Sequence, residues 1–173
     1  MIRRLLTYLS RSRFPYEPLI TIEVSRSRLL HNLEQFRKTT PHCQIAPVLK
    51  SNAYGHGLFE VARILDTQNL PSLIVDSYFE AIALHTKGIR TPLLIIGYTP
   101  AETMVRANGL NIAFTIINME TLRDLQALAQ RGARATIHLK IDTGMHRQGI
   151  LPSRSEEHTF ELQSPYVISY AVF

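Results

Sequence analysis

The chain has 173 residues, of which 45% are hydrophobic and 19% charged, a balance that supports one domain with a sizeable core and excludes wholesale disorder. Lys and Arg number 19 against 14 Asp and Glu, but Arg3, Arg4, Arg11 and Arg13 fall in an acid-free start, so the body is near neutral and offers no basic nucleic-acid surface. A single cysteine, Cys43, excludes an internal disulfide framework and suits a reducing compartment, and no apolar run reaches the roughly 18 residues of a membrane span.

Residues 1–18 form a basic N-terminal extension ending in Pro15 and Pro18. An Arg-rich, acid-free start is compatible with a transit peptide, although a short surface helix or an over-long start is the favoured explanation. Leu5–Leu9 is too short for a signal-peptide core and is broken by Thr7 and Tyr8.

From residue 19 the pattern becomes regular. Leu19–Val24 is β-branched and predicts a strand. Ser25 or Ser27 caps the next helix, whose apolar face is Leu29, Leu30, Leu33 and Phe36, and Thr39-Thr40-Pro41 stops it. Gln44–Leu49 is a second strand; Pro47 inside it favours an irregular or edge position, an indication that the family resemblance below outweighs. Leu58–Asp66 reads as a helix, Ser72–Asp76 as a short apolar strand, and Ser77–Lys87 as a helix ended by Gly88. Pro92–Gly97 is a strand, Pro100–Ala107 a helix closed by Gly109, and Leu110–Ile116 a strand. Asn118 caps Met119–Arg131 without the Glu or Gln of a full capping box, Gly132 ends that helix, and Ala135–Ile141 is the last strand.

Short apolar strands alternating with helices give an α/β fold with a parallel sheet covered by helices. Each strand–helix unit takes roughly 20 to 25 residues, the spacing of a (β/α)8 barrel, which needs about 250 residues. The chain then holds about five of the eight units. A doubly wound open sheet is the structural competitor, but no G-x-G-x-x-G follows the first strand.

Two segments carry candidate chemistry. In Ala46–Gly57 (APVLKSNAYGHG), Lys50 ends an apolar strand and precedes a polar, Gly-rich turn. At the carboxyl end of a barrel strand a lysine is partly desolvated, which favours the free amine needed to condense with an aldehyde cofactor. On spacing alone, an ordinary strand-end lysine reaching solvent is the better explanation. In His138–Gly149 (HLKIDTGMHRQG), Arg147 offers a planar fork to an anionic oxygen, and Asp142 and Thr143 are suited to fixing the turn. Lys140 within the strand would be buried in a two-sided sheet and needs a partner or a lost charge, unless it snorkels from a polar loop. The histidines at 31, 42, 56, 85, 138, 146 and 158 show no paired ligand spacing, so no metal site is assigned, and His56 between two glycines reads as a turn hydrogen-bonder.

At these motifs the sequence resembles the N-terminal part of the alanine racemase family, pyridoxal-phosphate enzymes of barrel fold. Lys50-Ser51-Asn52-Ala53-Tyr54-Gly55-His56-Gly57 is similar to the family's cofactor-lysine signature, and Asp142-Thr143-Gly144-Met145-His146-Arg147 to its second signature. His31-Asn32-Leu33 also resembles the family, over roughly residues 19–152 in all. Two motifs in register reverse the odds for Lys50. The resemblance implies an incomplete TIM-type barrel of the alanine racemase kind over 19–153, with 44–49 as the first of five barrel strands and 19–24 belonging with a C-terminal β domain. It implies pyridoxal 5′-phosphate as cofactor, with Lys50 as its Schiff-base lysine and one of two catalytic bases. Tyr54 would bond the phosphate and Arg147 the phenolic oxygen. Lys140 matches a lysine often carboxylated in this family, which would turn a buried cation into an anion beside Arg147.

The implied reaction is racemisation of L-alanine to D-alanine for the bacterial cell wall, by a cytoplasmic homodimeric parent acting on a small amino acid, with no nucleic-acid or membrane partner. The opposite-face base, a tyrosine of the partner subunit's C-terminal domain, has no counterpart here; Tyr166 and Tyr170 lie in no matching motif, so the polypeptide as written is expected to be inactive. Alternatives are a racemase of another amino acid and a non-enzymatic pyridoxal-phosphate-binding barrel, against which the Tyr-Gly-His-Gly and Asp-Thr-Gly-Met motifs argue. Residues 154–173 read as a non-native tail: RSEEHTFELQS resembles an in-frame sequencing adapter interrupted by Phe160. Open sheet edges and apolar surface predict aggregation or low stability.

Overall fold

A computed structural model describes residues 22–151 and 168–171. The chain alternates helices and strands: α1 (Arg26–Thr39), a one-turn segment (Lys50–Tyr54), α2 (Leu58–Leu65), β1 (Leu73–Val75), α3 (Tyr78–Thr86), β2 (Leu93–Ile95), α4 (Ala101–Arg106), β3 (Ile112–Ile116), α5 (Met119–Ala129), β4 (Thr136–Lys140) and β5 (Ile168–Ala171). All strands are parallel and neighbours in space follow sequence order, β1-β2-β3-β4-β5. A doubly wound sheet would reverse its order at a switch point. The unbroken order is the winding of a barrel wall, so the fold is an incomplete TIM-type barrel, as the spacing predicted.

The segment before Lys50 is held to the β1 edge by one isolated bridge. Val48 bridges Ile74 in parallel, with Leu49 N donating to Ile74 O at 2.7 Å and Ile74 N to Pro47 O at 2.8 Å. Pro47 brings no N–H to the sheet, and it lies on the edge strand of the described residues, where that lack costs no ladder bond. Four of the five predicted barrel strands are therefore present, β1 and β2 shortened to three residues each, while the predicted strand Gln44–Leu49 is reduced to the single bridge at Val48. β5 was not foreseen; it adds a further rung beside β4, from Ile137↔Ile168 to Lys140↔Ala171.

Strand alternation sorts the core. Leu73, Val75, Leu93, Ile95, Phe114 and Ile137 face the helices and join one cluster with Leu65, Leu84, Met104 and Leu122. Burying each large side chain stabilises by about 1.5–3 kcal/mol. Ile74, Leu94, Thr115, His138 and Lys140 alternate onto the opposite face. The caps follow local chemistry: Ser25, Ser77 and Asn118 each accept a backbone N–H in the first turn of their helix.

Two expectations fail. Ile22–Val24 is irregular rather than strand, Ile22 being exposed with no partner strand among the described residues; the rest of Leu19–Val24 lies outside them. Phe36 is 63% exposed, so the apolar face of α1 reaches the core only through Leu33 and the half-buried Leu29. Gly97 marks the closest strand approach: a Cβ there would stand 2.3 Å from Asp76 O, so any side chain would push the carboxyl ends of β1 and β2 apart.

Asp66, at the end of α2, takes three hydrogen bonds on Oδ1, from Arg90 N at 2.9 Å, Thr91 N at 2.8 Å and Thr91 Oγ1 at 2.7 Å. Burial pushes its pKa up, but these bonds and the Arg90 charge outweigh it and hold the carboxyl below its ordinary value. With the folded value depressed, Asp66 contributes stability that is complete above the unfolded value and is lost as pH falls through the folded one. Asp66→Ala is expected to cost about 1–3 kcal/mol near neutrality, by leaving buried donors unpaired. Urea midpoints should show the gap to wild type narrowing as pH falls below the ordinary carboxylate value of 3.8. A gap that stays constant with pH would assign the loss to packing instead.

Candidate active site

The site is built at the carboxyl ends of the strands, where backbone groups leave the ladder and side chains from several strands converge. Lys50 follows the bridged segment directly and is half-buried. The residues after it turn in the left-handed sense: Ser51, Asn52, Ala53 and Tyr54 have φ of 55°, 57°, 51° and 55°. For residues with a Cβ this conformation costs roughly 1–2 kcal/mol each, least for Asn. A run of four at one place needs specific bonds to hold it. Ala53 N donates to Leu49 O at 2.7 Å, and Gly57 N to Asn52 O at 3.0 Å. Asn52 Oδ1 accepts Leu58 N at 2.8 Å and so caps α2. His56 Nδ1 lies 2.9 Å from Ala53 O, which makes His56 the turn hydrogen-bonder its flanking glycines indicated. Ala53 is buried beneath the turn, whereas Tyr54 is 61% exposed.

The second motif leaves β4 as a closed loop. Ile150 N donates to Lys140 O at 2.8 Å and Asp142 N to Ile150 O at 2.9 Å, bridging Ile141 and Ile150. Gly149 is required at that closure: its φ is +128°, and a Cβ would stand 2.8 Å from Asp142 N. Inside the loop Asp142 Oδ1 accepts Gly144 N and His146 N, both at 3.0 Å. Its Oδ2 lies 3.9 Å from His146 Nδ1. The N–H groups of Gly144 and His146 hold the Asp142 carboxyl below its ordinary range. Arg147, two residues before the closure, is exposed.

Lys140 is half-buried on the face it shares with His138, not fully buried as a two-sided sheet would have it; it is the last residue of β4, where the chain leaves the sheet. Burial lowers the pKa of His138, whose Nδ1 is buried without a hydrogen-bond partner. Its surroundings lie elsewhere: it lines a cavity of about 580 Å³ with Ser72, Leu94 and Asn111 at the amino ends of the strands, opposite Lys50.

Lys50, Tyr54, Lys140 and Arg147 thus stand on the same end of one sheet. Among the described residues no hydrogen bond or ion pair joins them to one another. Sequence reading missed Glu80, whose carboxylate reaches both Asp76 N, at 2.9 Å, and Asn52 N, at 3.5 Å. The signal was present as Ser77-x-x-Glu80, a capping-box spacing at the start of α3.

Asp142→Asn keeps the Oδ1 acceptor and is expected to leave the loop closed, whereas Asp142→Ala should open it. Amide exchange at Gly144 and His146 reads the difference, rising in the alanine variant alone. Equal exchange in both variants would show that the backbone bridge closes the loop without Asp142.

The family described as "Alanine racemase, N-terminal domain" matches residues 24–167, continuing past residue 153. The chain is 35% identical to the alanine racemase of Methanococcus maripaludis over 144 residues, covering 82% of this chain and 39% of that protein. It is 35% identical to the biosynthetic alanine racemase of Escherichia coli O6:H1, over 79% of this chain and 37% of the relative. Among solved structures, an alanine racemase from Clostridium difficile superposes with a TM-score of 0.75 at 32% identity, over 89% of this chain and 43% of that one. A histidine racemase from Leuconostoc mesenteroides superposes with a TM-score of 0.65 at 30% identity, over 73% and 34%. The chain therefore spans about two fifths of the length of the relatives it matches. The order of its strands, the two strand-end motifs and these matches agree: the chain belongs to the alanine racemase family and corresponds to its N-terminal domain.

Proposed function

We propose that this chain is the cofactor-binding part of a pyridoxal-phosphate-dependent racemase that interconverts L- and D-alanine. The observation that carries this is the placement of Lys50 and of the Arg147 loop at the carboxyl ends of strands in one barrel wall. The donor set suits the cofactor. Lys50 offers an amine to an aldehyde, Tyr54 a phenol to a phosphate, and Arg147 a guanidinium to a phenolic oxygen. Among the described residues none of these three heads is committed to another side chain.

Pyridoxal phosphate, when bound, supplies a sink for the electron pair left by removal of the α-proton. The chain's own residues do the rest. Lys50 Nζ would hold the cofactor and, once displaced by the substrate's amine, would act on one face only, removing the α-proton of one enantiomer or delivering a proton to form it, while the opposite-face base does the converse. Tyr54 and Arg147 would hold the cofactor's two anionic ends, orienting it toward Lys50. Lys140, carrying a carboxylate on Nζ, would hold Arg147 in place by an ion pair. The base for the opposite face would come from the partner subunit of a homodimer. A cytoplasmic setting is part of the same proposal; among the described residues no helix is long and apolar enough to cross a membrane.

One observation favours a second substrate. The histidine racemase of Leuconostoc mesenteroides shares this fold at 30% identity, so a racemase of another amino acid fits the same barrel wall.

Borohydride reduction in the presence of pyridoxal phosphate, followed by peptide mapping, is expected to place the label on Lys50. Lys50→Ala should abolish it, and Arg147→Ala should weaken cofactor binding by about tenfold, the scale of one charged hydrogen bond. Label spread evenly over Lys38, Lys50, Lys87 and Lys140 would overturn the assignment.

We further propose that the chain divides into a basic extension (1–18), a partial barrel (19–153) and a non-native tail (154–173). The adapter-like RSEEHTFELQS supports the last boundary, while the family match to residue 167 and the pairing of β5 with β4 weigh against it. Long-read sequencing across the 3′ end of the gene is expected to show the frame diverging after Ser153. A genomic frame that reproduces residues 154–173 would refute the tail.

A further inference from the structure

Glu80 belongs to none of the signature motifs, yet it touches the backbone that follows Lys50. It stands in the first turn of α3, where Ser77 Oγ accepts its N–H at 3.3 Å. In a capping box the glutamate at this position returns to the N–H of the cap residue itself. Here the carboxylate divides its two oxygens. Oε2 accepts Asp76 N at 2.9 Å, at the exit of β1, and Oε1 accepts Asn52 N at a longer 3.5 Å, in the left-handed turn of the neighbouring strand end. One side chain thus ties together the exits of two adjacent strands.

Asn52 is the centre of that turn. Its carbonyl accepts Gly55 N at 3.1 Å and Gly57 N at 3.0 Å, its Oδ1 accepts Leu58 N at 2.8 Å, and its own N–H goes to Glu80. The turn stays left-handed against the preference of Ser51, Ala53 and Tyr54, so whatever anchors Asn52 sets the path on which Lys50 and Tyr54 stand.

We propose that Glu80 is a positioning residue for Lys50 and Tyr54, its shared carboxylate bracing the left-handed turn against the end of β1. This rests on Lys50 being the cofactor lysine. The chemistry of the brace calls for a carboxylate. Two oxygens accept from two N–H groups, whereas an amide presents one acceptor and one donor, and the donor repels an N–H. Glu80→Gln can therefore keep only one of the two bonds. Glu80→Asp, one methylene shorter, reaches Asp76 N but not Asn52 N.

The test is the distribution of reduced pyridoxyl label across the four lysines of the folded chain, Lys38, Lys50, Lys87 and Lys140, with amide exchange measured at Asn52. In Glu80→Gln and Glu80→Asp, label on Lys50 is expected to fall about tenfold while Lys38 and Lys87 keep theirs, and Asn52 exchange should rise. Ser77→Ala is the control: it removes the side-chain cap of α3 but leaves both Glu80 bonds, so Lys50 label should hold. A merely structural role would move Ser77→Ala and the Glu80 variants together, and that result overturns the proposal. So does unchanged Lys50 label in both Glu80 variants. If wild type does not favour Lys50 at all, the cofactor assignment fails by itself, and the brace stands or falls on Asn52 exchange alone: faster exchange in Glu80→Gln keeps it, unchanged exchange refutes it.

Discussion

Two hydrogen bonds determine where the turn after Lys50 begins. Leu49 N reaches Ile74 O and Ile74 N reaches Pro47 O, and this one bridge holds the edge segment to β1. Leu49 O, fixed by that bridge, accepts Ala53 N and starts a turn of the wrong hand for L-residues. The turn places Lys50 at the sheet end and Tyr54 in solvent, and it delivers Asn52 to the start of α2. Without the bridge the strained turn has no fixed root, and the cost of four left-handed residues would favour a different path.

The two halves of the site are held in different ways. Around Lys50 the backbone is strained, and the restraint comes from outside the segment, through Leu49, Glu80 and α2. Around Arg147 the restraint is internal: Asp142 gathers N–H groups of its own loop. An ionised carboxylate is the better acceptor, so the same bonds that order the loop keep Asp142 charged. The proposed cofactor contacts thus come from one externally braced element and one self-ordered loop, the first rooted on the edge segment beside β1 and the second on β4 of the same parallel wall.

The architecture was legible because its signals are local. Apolar strands of fixed spacing, Ser25, Ser77 and Asn118 at helix starts, and Gly88, Gly109 and Gly132 at helix ends each state one element without reference to the rest. Lys50, Tyr54, Lys140 and Arg147 were legible as types in motifs, and the structure sets all four at one end of the sheet. What escaped depends on distance in three dimensions. Phe36 fits the apolar stripe of α1, but nothing in its periodicity says how far the helix runs along the body. The half-burial of Lys140 depends on its standing at the very end of β4, a boundary that apolar patterning does not fix. Glu80 carried a capping-box spacing, yet no local pattern reveals that its second oxygen serves another strand's turn. β5 lies in a segment whose sequence suggested something other than a barrel strand.

The bridge between Ile141 and Ile150 has a consequence for how such a site can change. The loop's two ends meet in register, with Gly149 N also reaching Ile117 O, so its entry and exit are tied by backbone bonds as well as by Asp142. Exposed side chains of this loop other than Arg147 can be exchanged while Asp142 keeps its backbone bonds, β4 keeps its pairing and the chain resumes from the same point in space. Selection on the chemistry of this loop is in that sense uncoupled from selection on folding. The Lys50 turn has no such freedom: its strain, its cap on α2 and its tie to Glu80 bind every residue to the fold. A barrel of this kind that diversifies would vary at the ring's exposed positions, sparing Arg147, and keep the left-handed turn.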